Sequence, residues 1–176
     1  MTVAHPFDRI PPGRIRVYFR PVLAVTLVVG IALLLLDPGG KGIVGLEVAG
    51  SVEGAERVMA VWTERDLIHA AFGTGLDYLF LLAYANAIAL TCIWARRVFR
   101  RTWLVALGGV LAWAAWVAAA LDAVENMAML DMIRGPVTSP APQIAAACAY
   151  PKFALVYAGI IYVLAASLTR LARRAP

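Results

Sequence analysis

From Trp103 to Leu121 the chain runs without a charged or hydroxyl side chain, and directly after it come Asp122, Glu125 and Asn126. A helix of roughly 20 such residues has the reach of a membrane span, because the hydrocarbon core of a bilayer is about 30 Å thick. Pro21 to Leu36, Leu67 to Ala95 and Gln143 to Thr169 have the same character. Only 15% of the 176 residues are charged, 62% are hydrophobic and the mean hydropathy is +0.77, whereas soluble domains carry about 25% charge. The predicted fold is therefore all-α, a single integral membrane four-helix bundle with spans at about 21–36, 67–95, 103–132 and 143–169. A soluble core of this length has too little interior to hide that much apolar surface.

The segments between the spans set the orientation. Residues 1–20 contain Arg9, Arg14, Arg16 and Arg20 around the breaker Pro11-Pro12-Gly13 and read as a basic tail. Pro21 opens the first helix, a position that tolerates its missing N–H, and Asp37-Pro38-Gly39-Gly40 closes it. No small-residue cleavage site follows, so a cleaved signal segment is disfavoured. Within the outer segment 37–66, Val52, Ala55, Met59 and Trp62 recur at helical spacing behind Ser51. This predicts a short amphipathic helix with Ser51 as its N-cap and Trp62 as an interface anchor. The run Arg96-Arg97-Val98-Phe99-Arg100-Arg101 is short enough to force the next helix back antiparallel, and residues 171–176 form a second basic tail.

Eleven of the sixteen basic residues lie in the two ends and the 96–101 loop, with Asp8 alone among the eleven acids. By the positive-inside rule both ends face the cytoplasm and the amphipathic helix lies on the extracytoplasmic side. The same rule accounts for the arginine runs without nucleic acid. Cys92 and Cys148 then fall at opposite ends of their helices, too far apart for a disulfide.

Depth can be counted from the inner arginines. Asp77 lies 19 residues before Arg96, Asp122 21 after Arg101 and Lys152 18 before Arg170, so each sits about 27 to 32 Å from the basic boundary at roughly 1.5 Å per residue. Three helices thus carry charge in one layer near the outer edge of the hydrocarbon. Charge facing lipid at that depth costs a few kcal/mol, so the side chains are expected to turn inward and meet. Asp122, Glu125, Asn126 and Met129 share a helix face. Asp66, His69, Gly73, Asp77 and Tyr84 form a stripe on the second helix, and Tyr150 and Tyr157 lie within two turns of Lys152 on the fourth. The candidate cluster is Asp77, Asp122, Glu125, Asn126, Lys152, Tyr84 and His69. Asp77 or Asp122 is expected to pair with Lys152, which leaves a surplus carboxylate. Glu125, one turn nearer water, is the candidate to meet an external ligand.

No nucleophile motif, phosphate loop or metal-ligand spacing is present, so no cofactor and no metal are expected. Haem is disfavoured because His5 and His69 fall on opposite sides. The inner halves of the spans are too apolar for a proton path, and Gly73, Gly75, Gly108 and Gly109 read as sites of close helix contact. Three function classes stay open: a protein binding a lipid or amphiphile headgroup, an extracytoplasmic lipid-modifying enzyme, and a structural or accessory subunit locked by ion pairs. The partners to match are membrane lipids, a second copy of the chain, or another membrane subunit.

Taken in order, Ala49-Gly50-Ser51 with Ala55 and Trp62, Leu76-Asp77-Tyr78-Leu79-Phe80 with Tyr84, Leu121-Asp122-Ala123-Val124-Glu125-Asn126, and Lys152-Phe153 resemble a group of uncharacterised bacterial four-span membrane proteins. The resemblance covers most of the chain. It implies a multi-pass protein of the bacterial inner membrane in which these polar residues recur as a set, and it implies no activity.

Overall fold

The computed structural model of the chain describes residues 3–39 and 42–173. Met1, Thr2, Gly40, Lys41 and residues 174–176, which belong to the tails and to segment 37–66 as read above, lie outside them. Six helices follow in order: α1 Ile15–Leu36, α2 Gly42–Glu47, α3 Val52–Met59, α4 Glu64–Ala95, α5 Thr102–Arg134 and α6 Ala141–Ala172. Four of them, α1, α4, α5 and α6, are long and apolar enough to cross a membrane. The chain is an all-α, multi-pass membrane protein.

Helices α4, α5 and α6 pack on one another, and of these α1 packs extensively on α4 alone. Association in lipid gains little from hiding apolar surface, so close backbone approach has to supply it. Helix α5 accordingly turns Gly108, Ala112, Ala115, Ala118 and Ala119 inward, and a methyl group on Gly159 of α6 would stand 2.7 Å from Ile88 Cγ2 of α4. Gly75 faces open space instead. Both cysteines are buried and free, as their placement in the spans requires.

Helix starts follow the capping chemistry of the sequence. Thr63 Oγ1 accepts from Asp66 N–H, while Asp66 Oδ2 accepts from Thr63 N–H at 2.8 Å, so Asp66 closes the end of α4 and does not join the polar stripe. Ser51 caps α3, its Oγ accepting from Gly54 N–H at 3.0 Å. The outer segment holds two short helices where one was expected, because Ala49-Gly50 breaks between them, with Gly50 at φ 68°. Trp62 is no interface anchor: it is buried beneath this cap, its Nε1–H donating to Gly39 O at 3.1 Å.

Two expectations about the N-terminal third are corrected. Pro21 does not open α1 but lies inside it, six residues after Ile15. Pro21 and Val17 are both exposed, so the carbonyl that Pro21 leaves unbonded has no buried position to suffer in. Residues 3–14 are not a loose tail either. Trp113 Nε1–H donates to Ala4 O at 3.0 Å, His5 is buried between Trp113 and Trp116, and Asp8 forms an ion pair with Arg96. Gly109 makes this docking fit, since a Cβ there would stand 2.5 Å from Val3 O. Burial holds the His5 imidazole below its ordinary value, against the pull of Asp8, and its Nδ1 accepts from Phe7 N–H.

Substituting Gly159→Val is expected to force α6 off Ile88 and cost about 1 to 3 kcal/mol, read as a lower melting temperature in detergent.

Candidate functional site

Helix periodicity brings the polar residues together. In α5, Asp122, Glu125, Asn126 and Met129 are all buried on one face. Lys152 of α6 points into that face. Its Nζ donates to Asp122 Oδ1 at 3.1 Å and to Glu125 Oε1 at 2.8 Å, and lies 3.6 Å from Glu47 Oε2. Tyr84 of α4 donates to Asp122 Oδ2 at 2.8 Å. Asn126 Nδ2–H donates to Asp77 Oδ2 at 2.7 Å, joining α4 to α5 a second time. Thus Tyr84, Asp122, Glu125 and Lys152 form one network with the Asp77–Asn126 pair beside it, and Asp122 rather than Asp77 is a partner of Lys152. His69 is half-buried beside it and lines a cavity of about 60 Å³ with Asp77, Asn126 and Glu47.

Glu125 does not face outward. It is 0% exposed and its Oε1 accepts from Lys152 Nζ, because its neighbours on the α5 face are turned toward α6 and the cap closes over them. The carboxylate free of any cation is Asp77: among the described residues, Lys152 pairs with Glu47, Asp122 and Glu125 only. Tyr150 and Tyr157 also stay out, lying on the outward face of α6 at 63% and 60% exposure.

Glu47 is the residue that sequence reasoning missed. It closes α2, in the cap, and reaches Lys152 across the top of the bundle. The signal was present, since Glu47 is the one charge between Lys41 and Glu53 in an otherwise apolar stretch. Three carboxylates therefore surround one ammonium, with Asp77 as a fourth nearby, and Glu47 Oε2 and Glu125 Oε2 are buried without a hydrogen-bond partner among the described residues. Burial raises the Glu47 carboxyl above its ordinary range; Lys152 pulls it down by less and Asp122 adds to the rise.

Beside the network lies a groove of about 470 Å³ between α1 and α6, floored by α4. One end is polar, formed by Glu47, Asp77, Tyr84, Asp122 and Lys152. The walls beyond are apolar, with Phe19 and Leu23 from α1, Phe80 and Ile88 from α4, and Phe153, Val156 and Ile160 from α6. The α4 floor from Asp77 to Thr91 runs about 21 Å along the helix, longer than one leaflet's share of a hydrocarbon core about 30 Å thick. Asp77 and Glu47 border both this groove and the smaller cavity. Comparison with protein-family models, with curated proteins and with solved structures found no match to this chain.

Two outcomes are expected. Lys152→Met leaves three carboxylates facing one another without a counter-charge and should destabilise by about 3 to 5 kcal/mol in a detergent melt, with Asp122→Asn recovering part of the loss. Glu47 binds its proton more tightly in the folded chain than in the unfolded one, whose value is near 4.5. Its contribution is therefore complete at pH below that value and is lost as pH rises through the raised one. Glu47→Gln should flatten that slope in melting temperatures measured across roughly pH 4 to 8.

Proposed function

We propose that this protein binds a lipid or other amphiphile from the outer leaflet of a bacterial plasma membrane, holding its headgroup at Asp77 and its chain in the groove between α1 and α6. The observation that carries this reading is the groove itself: an apolar trough of about 470 Å³ that ends on charged side chains. Pockets of this size with apolar walls and a few convergent polar groups are the usual form of a small-molecule site. The surplus of acceptors at the polar end, with Asp77 bonded only by Asn126, suits a headgroup that donates hydrogen bonds, an amine or a set of hydroxyls. A metal fits less well, since Lys152 Nζ occupies the centre of the carboxylates, where a cation would sit.

The arginine distribution supports the sidedness, with both ends cytoplasmic and the α2–α3 cap outside. The resemblance to bacterial four-span proteins supports the choice of membrane. A purely structural role finds support in Lys152, which is bonded by two carboxylates and buried. The two readings fall on different residues, Lys152 as the lock and Asp77 as the contact for ligand.

Topology is tested by labelling intact cells. Glu53→Cys, in the exposed face of α3, should react with an impermeant maleimide and Phe99→Cys should not, with Cys92 and Cys148 buried and silent. Ligand binding is tested by mass spectrometry of lipid that co-purifies in mild detergent. Asp77→Asn, and Ile160→Trp in the groove wall, should each lose the bound species while melting within about 1 kcal/mol of the parent. Equal lipid content in all three proteins would leave the structural reading in possession of the site.

A further inference from the structure

The seam between α4 and α6 does not end at Thr91. Past it a trough of about 190 Å³ continues along Ala95, Val163, Ala166 and Ser167. It opens into a mouth of about 420 Å³ formed by Trp94, Val98, Arg97, Arg170 and Arg173. Arg173 Nη1–H donates to Val98 O at 2.6 Å, which fixes its stem across the mouth. The Arg16 guanidinium lies 5.5 Å from the Trp94 ring centroid and brings a fourth positive charge to the rim. Among the described residues none of these four arginines has a carboxylate partner, and Asp8, the acid of this end, is held by Arg96.

The positive-inside rule accounts for arginines at this end of the bundle. It does not account for their convergence, from the turn after α4 and the end of α6, on one opening that leads into an apolar trough. We propose that this mouth binds the headgroup of an anionic phospholipid, with the phosphodiester between Arg97, Arg170 and Arg173 and an acyl chain laid along the α4–α6 trough. Guanidinium groups donate paired hydrogen bonds that match phosphate oxygens, and basic pockets between spans on this side of a membrane are suited to acidic headgroups. The trough selects a lipid over free phosphate, because it offers the chain a seat at hydrocarbon depth. The trough meets the groove at Thr91, the end away from the acidic cluster, and the proposal does not depend on the reading given for that cluster.

The test titrates delipidated protein in neutral detergent with phosphatidylglycerol, phosphatidylcholine or inorganic phosphate and counts bound lipid by native mass spectrometry. The parent should retain phosphatidylglycerol in preference to phosphatidylcholine. The triple variant Arg97→Gln, Arg170→Gln, Arg173→Gln should lose affinity by roughly a hundredfold, at about 1 kcal/mol per arginine. The control Arg100→Gln, Arg101→Gln, in the same loop region but outside the mouth, should stay within about threefold of the parent, as expected for charges that only add to the general field. Equal binding of both lipids, an equal loss in the control, or displacement of the lipid by inorganic phosphate would each overturn the proposal. If the triple variant fails to fold, Ser167→Trp fills the trough with every arginine intact. Loss of phosphatidylglycerol from that variant supports the site, and full retention overturns it.

Discussion

The ammonium of Lys152 is the group on which the acidic end of this bundle depends. Asp122 and Glu125 on α5 and Glu47 in the cap approach one another only because a positive charge stands between them. In a poorly hydrated layer the attraction between a carboxylate and an ammonium at these distances is several times its value in water, and so is the repulsion between carboxylates. The ion network therefore does more than join α5 to α6. It also brings the extramembrane segment down onto the spans, through Glu47, and so closes the polar end of the groove.

Much of this was legible before any coordinates. The spans could be read because apolar runs of bilayer length have few alternatives. The depth of Asp77, Asp122 and Lys152 could be counted because helical rise is nearly constant and arginines mark one boundary. Partner choice could not be counted in the same way. Which carboxylate meets Lys152 depends on the rotation of each helix about its own axis, and small-residue packing at Gly159 and along the alanine face of α5 sets that rotation. Hence Asp77 was equally eligible with Asp122, and Glu125 looked nearer to water than it is.

Contacts made by segments without periodicity were the least legible. Glu47 reaches the network from a six-residue helix whose path turns on Gly42, at φ 63°. His5 reaches Trp113 and Trp116 from an N-terminal stretch that carries no spacing signal, and those tryptophans read only as part of an apolar run. In both cases a local cap sets the chain, Asp37 accepting from Ile43 N–H in one and His5 with Asp8 in the other. Local polar bonds of this kind set direction over a few residues and leave no trace in hydropathy.

The position of α1 has a consequence for selectivity. This helix forms one wall of the groove yet rests on α4 alone among the long helices, with the ring of Phe80 seated against Gly30. The ion network resides on α5, α6 and the cap, so α1 takes no part in it. In the binding reading proposed above, the headgroup and the chain of the ligand would meet different parts of the molecule. The headgroup would meet charges bonded across α4, α5 and α6, and the chain a wall held by one long helix. A ligand of the proposed kind would then be selected at its polar end and tolerated along its chain.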